Sequence, residues 1–258
     1  MTEFADVEKF IGASRRAVSP KALDDLLADI SAEMGFDHYA LIHHVDLTPM
    51  NKRLTHMADG SLVALTNYPE NWVESYVTRN IVANDPVLLA SHRSNVGFKW
   101  DEVANFIKVT STHREITRDT RQAGLGEGYT VPAHVPGEAN GSCNFAMRTG
   151  RSLPEHNLLM ANMVGSFAFQ AARSMVLKAR NVPMAREHAP LTSRQLECLA
   201  LVARGKSDWE IARILGIGSE SVKHHVKMAR EHYDVPTRIQ AAFRAVFESQ
   251  LTISDVVP

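Results

Sequence analysis

Three aromatic residues with polar tips, Tyr68, Trp72 and Tyr76, recur at four-residue intervals, the spacing that sets side chains along one face of a helix. Asp85 follows, immediately before Pro86, then Trp100, then the glycine-rich run from Gly124 to Gly128. Tyr O–H and Trp N–H groups need partners when buried, and a pocket holding the polar head of a small molecule supplies them while the rings cover its apolar parts. The same stripe also packs as an ordinary aromatic core. Asp85 has two roles open to it: Asp before Pro is a strong N-cap and first-turn pair, and a carboxylate at a pocket wall accepts a ligand N–H. The chemistry these residues suggest is binding.

The 258 residues allow one large domain or two smaller ones. A hydrophobic fraction of 45% and a charged fraction of 22% describe a soluble globular chain with enough apolar surface for a core. With 28 Lys and Arg against 29 Asp and Glu, the net charge of −1 advertises neither a polyanionic nor a polycationic partner, so any charge signal is local. Cys143 and Cys198 form neither a C-x-x-C pair nor a zinc pattern and suit a reducing compartment. The acidic N-terminus has no signal-peptide pattern, and the most apolar stretch, Leu158 to Ala172, is interrupted by Asn162, Ser166 and Gln170 and is too short to span a bilayer. The expectation is a cytoplasmic protein without membrane association.

These side chains need elements to position them. Ser19-Pro20 reads as an N-cap and first helical residue with the stripe Leu23, Leu26, Leu27, Ile30 behind it. Strand-like runs appear at 37–45, 62–66, 128–135 and 142–148, the last two joined by a hairpin loop at 136–141. Helical segments fall at 69–79, 86–91 and 110–123, and a long one from Pro154 to about Arg180 carries Leu158, Leu159, Met163, Phe167 and Met175 at helical spacing. The segment 181–190, with Pro183 and Pro190 and little periodicity, marks a linker between a unit at 1–180 and one at 191–258. The first unit reads as α+β, a mainly antiparallel sheet covered by helices.

The second unit is all helical. Thr192 stands three residues before Gln195 and Ser207 three before Glu210, the capping-box spacing, with Gly205 and Gly216 as helix stops. A third helix begins near Ser219 and a fourth follows Pro236. Two short capped helices joined at Gly216-Ile-Gly218 make a helix-turn-helix, whose second helix enters a major groove. On that helix Lys223 and Lys227 share a face with Arg230 close by, while Val222, Val226 and Ala229 turn toward the core. Residues 189–250 hold nine Lys and Arg against seven Asp and Glu, so periodicity and capping carry more weight than charge. A small helical bundle with a solvated basic helix fits the same pattern.

The motifs Leu191-Thr192-x-Arg194, Gly205-Lys206-Ser207-x-x-Glu210-Ile211-Ala212 and Ser221-Val222-Lys223-x-His225 resemble the DNA-binding domain of LuxR-type transcription regulators. Gln195 and Ser221 stand where that family usually has Glu and Thr; the first keeps the capping geometry and the second keeps a hydroxyl. The resemblance implies that Lys223 and Lys227 approach DNA, at base edges or at phosphates, with Ser221, His224 and Arg230 beside them. His224 and His225 are groove contacts or partial core. Upstream, Tyr68, Trp72, Tyr76, Asp85-Pro86, Trp100 and Gly128 resemble in order and interval the autoinducer-binding domain of acyl-homoserine-lactone quorum-sensing receptors, with a longer loop at 47–61.

That second resemblance implies a set of roles. Trp72 donates its indole N–H to the lactone carbonyl, Asp85 accepts from the ligand amide N–H, and the Tyr68 hydroxyl meets the acyl amide carbonyl. Tyr76 and Trp100 act as apolar walls or support, Gly128 gives the backbone room or an unusual dihedral, and Ser142 or Asn144 adds a contact from a late strand, whose facing a one-residue slip would reverse. The expected architecture is an α/β/α sandwich sensor followed by a four-helix helix-turn-helix domain. The expected function is ligand-responsive transcription regulation in quorum sensing, with double-stranded DNA and an acyl-homoserine lactone as partners, no cofactor and no metal. A homodimer reading a two-fold-symmetric site is implied, with the helix at 154–180 as part of its surface. A regulator tuned to another small molecule remains open. An enzyme acting on lactone signals would need an activated nucleophile or a metal, yet the chain has no G-x-S-x-G elbow, and His43-His44 does not form the H-x-H-x-D arrangement of lactone-cleaving metal enzymes; these histidines are expected on a strand, pointing to opposite faces.

Overall fold

The computed structural model describes residues 4–43, 64–135, 141–179 and 189–256. All of the expected hairpin loop at 136–141 except Gly141, the longer loop at 47–61, His44 and all of the expected linker except Ala189 and Pro190 lie outside them. Two compact units divide the chain, Met1–Met184 and Ala185–Pro258.

The first unit is built on a five-stranded sheet of β1 (His38–His43), β2 (Ala64–Thr66), β3 (Phe98–Lys99), β4 (Leu125–Ala133) and β5 (Gly141–Arg148). The order is β2-β1-β5-β4-β3 and every pairing is antiparallel. Alternation along the strands sorts side chains to two faces. Tyr39 and Leu41 of β1, Tyr129 and Val131 of β4, and Cys143, Phe145 and Met147 of β5 turn to one face and join the main core. That face is covered by α1 (Phe4–Arg16), α2 (Pro20–Glu33) and α6 (Leu158–Ala179), whose Val7, Phe10, Leu23, Leu27, Val164 and Ala168 fill the layer between. Ser19 caps α2 by accepting from the Ala22 N–H at 3.2 Å, with Pro20 in the first turn.

Over the opposite face lie α3 (Glu70–Thr78), α4 (Pro86–Ser91) and α5 (Ser111–Gln122), with a smaller cluster of Trp72, Ile81, Ile116, Leu125 and Ala146. The expected sandwich is therefore present. Elements not legible in the sequence pattern include α1, the 3-10 turns at Ile81–Asn84 and Trp100–Asn105, and the two-residue β3, which pairs Phe98 with Thr130 and Lys99 with Tyr129. The expected helix at 69–79 starts one residue later, and Tyr68 lies outside it: Pro69 sits at φ −52°, ψ 132°, which is extended rather than helical.

The second unit comprises α7 (Ser193–Ala203), α8 (Asp208–Leu215), α9 (Ser219–His232) and α10 (Arg238–Phe247), with a short α11 (Ile253–Val256) beyond the four expected. Thr192 and Gln195, then Ser207 and Glu210, close both expected capping boxes, and Thr237 with Gln240 closes a third. Ile211, Val222, Val226, Ala229, Leu199 and Ala241 form its core.

Candidate functional site

Between the sheet and the α3, α4, α5 layer lies a cavity of about 970 Å³, at the upper end of the ~300–1,000 Å³ common for small-molecule sites. Ala40 and Ile42 of β1 and Ser142 and Asn144 of β5 form its floor, facing away from the Tyr39, Leu41, Cys143, Phe145 row by strict alternation. Tyr68, Trp72, Tyr76, Asp85 and Trp100 all line it, with Val82, Leu88, Val103 and Ile116 as apolar walls. All seven residues expected at the ligand site are thus brought to one space.

The polar groups there divide into those already bonded and those left over. Asp85 caps α4, its Oδ1 accepting from the Val87 and Leu88 N–H groups at 2.8 and 3.3 Å, while its Oδ2 accepts from the Tyr76 hydroxyl at 2.7 Å. Capping and cavity lining, competing readings from sequence, coexist on the two oxygens. Burial pushes the Asp85 carboxyl up from its ordinary pKa, opposed by the Tyr76 and backbone hydrogen bonds and by His113. Burial first, then the neighbouring Asp85 charge, pushes both the Tyr68 and Tyr76 phenols up. The Tyr68 hydroxyl is buried and has no hydrogen-bond partner among the described residues. Trp72, 6% exposed, meets Tyr76 edge-on at 5.9 Å between ring centroids.

Tyr76 and Trp100, expected as apolar walls or support, also bond through their polar atoms. The Trp100 indole donates to Thr130 Oγ1 at 2.9 Å, Thr130 donates to Asn144 Oδ1 at 2.7 Å, and Asn144 Nδ2 donates to the Ala40 carbonyl and to Ser142 Oγ, each at 3.2 Å. Thr130 and His113 were missed in the sequence; Thr130 sits two residues beyond Gly128 and so on the same sheet face, which is the signal that could have found it. Gly128 gives room, not an unusual dihedral: a Cβ there would lie 2.2 Å from the Trp100 ring, and its φ is outside the left-handed range.

In the second unit, Gly216 turns the chain at φ +65° between α8 and α9, and Val222, Val226 and Ala229 are buried. Ser221, Lys223, His224 and Lys227 are exposed, and His225 is half-buried. Lys223 pairs with Glu220 at 2.6 Å and Lys227 with Glu231 at 3.7 Å, so each lysine carries an acidic neighbour on its own helix. The Glu220 carboxylate, by hydrogen bond and then by charge, raises the Lys223 pKa. Arg230 departs from the expected exposed row. It is half-buried with its Nε enclosed, because it sits where the chain turns at Asp234, Val235 and Pro236. Among the described residues no group of three or more His, Cys, Asp or Glu could hold a metal ion, and no helix is long and apolar enough to cross a membrane.

A cavity of small-molecule size in one unit and a helix-turn-helix in the other define a ligand-responsive DNA-binding regulator. Residues 19–172 match the family described as the autoinducer binding domain, and residues 189–245 match the bacterial regulatory proteins of the luxR family. The chain belongs to the autoinducer-binding regulators of the LuxR family, a family of transcription regulators rather than enzymes. It is 28% identical over 234 residues to the transcriptional activator protein AhyR of Aeromonas hydrophila, covering 87% of this chain and 84% of that one. It is 28% identical over 239 residues to the quorum sensing-dependent transcriptional regulator RpaR of Rhodopseudomonas palustris, covering 92% and 91%. The fold is shared with Escherichia coli SdiA, at a TM-score of 0.58 and 22% identity over 96% of this chain and 99% of that one.

Proposed function

We propose that this chain is a quorum-sensing receptor whose ligand is an N-acyl-homoserine lactone. The observation that carries the reading is the hydrogen-bonding set in the cavity: the Tyr68 hydroxyl, a buried donor with no acceptor among the described residues, with Trp72 on the same wall and the Asp85 carboxylate beside them. An acyl-homoserine lactone offers the complement, two carbonyl acceptors and one amide N–H. Trp72 binds the lactone carbonyl, Tyr68 the acyl amide carbonyl, and Asp85 accepts the amide N–H. On the late strand, Asn144 spends its amide on Thr130, Ala40 and Ser142, which leaves the Ser142 hydroxyl proton for the ligand.

In this reading residues 1–180 sense, 181–190 link, and 191–258 bind DNA, with Lys223, Lys227, Ser221 and His224 meeting the groove and Arg230 supporting the end of the helix. The regulator acts in the cytoplasm as a homodimer, since one short helix reads few bases and a two-fold arrangement doubles them; α6 contributes to the dimer surface. The test is mass spectrometry of an organic extract from protein expressed with a mixture of acyl-homoserine lactones, with Trp72→Phe and Asp85→Asn as controls. One intact lactone retained in stoichiometric amount, and reduced in both controls, is the expected result. Folded protein retaining none moves the sensor to a different ligand, and release of ring-opened product would make it an enzyme.

A further inference from the structure

We infer that Tyr76 is a positioning residue for ligand recognition, its hydroxyl holding Asp85 in the orientation and charge state that accept the ligand amide. The inference rests on the acyl-homoserine-lactone reading above and gives a specific task to a residue expected to serve as an apolar wall or support. An ionised carboxylate offers about four lone-pair sites. Asp85 fills both sites of Oδ1 with the Val87 and Leu88 N–H groups and one site of Oδ2 with Tyr76. One site on Oδ2 is left for a ligand that brings a single N–H. The α4 cap fixes one oxygen, but a second bond at 2.7 Å fixes the plane of the carboxylate, and with it the direction of the remaining site.

The same bond acts on charge. Asp85 is half-buried, and its loss of solvent disfavours the ionised form; the Tyr76 hydrogen bond is the largest opposing influence, ahead of those from Val87 and Leu88. Other titratable groups act around it: His113 from α5 favours the carboxylate, and the neutral Tyr68 phenol stands beside Tyr76 just before α3. A protonated Asp85 is a poorer acceptor for an amide, so the Tyr76 hydroxyl sets the lowest pH at which ligand is held well.

The experiment is a titration of ligand affinity between pH 5 and 7.5 in the full chain, using the lactone recovered from the extract, for wild type, Tyr76→Phe and Asp85→Asn. His113 and Tyr68 are unchanged throughout, so differences between curves isolate the Tyr76 hydroxyl. Tyr76→Phe is expected to bind about tenfold more weakly near neutrality, with its acid fall-off moved upward by about one pH unit, the scale of one hydrogen bond to a charged group. Incorporating 3-fluorotyrosine at position 76 keeps the ring and sharpens the donor, and is expected to move the fall-off downward. A Tyr76→Phe curve lowered equally at every pH, or a fluorotyrosine curve that does not move, overturns the inference and leaves the lactone reading intact. Wild-type affinity in Asp85→Asn overturns both, because no ligand group then depends on that carboxylate.

Discussion

Gly128→Ala tests the packing logic of the cavity most directly. The added Cβ would fall 2.2 Å from the Trp100 ring, with two further ring atoms at 2.4 and 2.5 Å, far inside contact distance. Retreat of the strand is opposed by the pairing of Gly128 with Ala146 of β5 and of the next two residues, Tyr129 and Thr130, with β3 and β5. Trp100 must therefore swing, and the open side is the cavity it lines. Swinging breaks its 2.9 Å bond to Thr130, which loosens the hold on Asn144. Overpacking costs ~1–3 kcal/mol and a net hydrogen bond ~0.5–1.5 kcal/mol, so a loss of about 2–4 kcal/mol is expected, together with a ligand affinity reduced more than tenfold as the ring occupies ligand space. Urea unfolding followed by tryptophan fluorescence measures the first, and calorimetric titration with the recovered ligand the second. In a Trp100→Ala background the same substitution should cost less than about 1 kcal/mol, because the clashing ring is gone. A Gly128→Ala protein within about 0.5 kcal/mol of wild type, or an equal cost in both backgrounds, would refute the reasoning.

Three other predictions follow from the same geometry. Burial raises the Asp85 pKa in the folded state, so between the ordinary carboxylate value and the folded one the native state holds a proton that the unfolded state lacks, and stability falls as pH rises through that window; Asp85→Asn, which keeps an acceptor for the α4 cap, should leave the ligand-free melting temperature at pH 7 unchanged or higher, with the gap closing on acidification, and a clear drop at pH 7 would contradict this. Lys223→Ala and Lys227→Ala should each weaken DNA binding while leaving ligand retention intact; a lysine on a phosphate lowers the salt slope by about one, whereas one on a base edge relaxes sequence preference, and equal loss of DNA and ligand binding would place the interface elsewhere. Thr192→Ala removes the cap that accepts the Gln195 N–H and should cost about 1 kcal/mol in the second unit, seen by hydrogen exchange across α7 with the first unit unaffected.

What the sequence made legible was what is encoded locally. The boxes at Thr192 with Gln195 and Ser207 with Glu210 are statements about four consecutive residues, and both close as read. The Asp85-Pro86 cap is of the same kind. The facing of Ser142 and Asn144 was not legible, because alternation leaves two registers and only the pairing of β5 with β1 and β4 selects one. Tyr68 shows the limit of spacing: four residues before Trp72 suits a helix, yet the extended Pro69 takes Tyr68 off α3 while leaving it on the cavity wall. The Thr130 to Asn144 bond and the enclosure of Arg230 join residues distant in sequence or brought together by a turn, and no local pattern carries them.

The cavity is built at a cost to the empty protein, and that cost couples ligand to fold. A buried donor left without an acceptor costs ~1–3 kcal/mol, and the Tyr68 hydroxyl is one such group among the described residues; the half-buried Asp85 adds a carboxylate held above its ordinary pKa. An apolar core of the same shape would carry neither penalty. A ligand that supplies acceptors to Tyr68 and Trp72 and a donor to Asp85 relieves them together, and its apolar part covers the Val82, Leu88 and Val103 walls. Binding to the folded state alone then adds ~4 kcal/mol of stability at a thousandfold excess over Kd. A ligand that binds the folded sensor unit and not the unfolded chain therefore shifts the population toward the folded unit, and a ligand-dependent rise in that unit's melting temperature reports the gain.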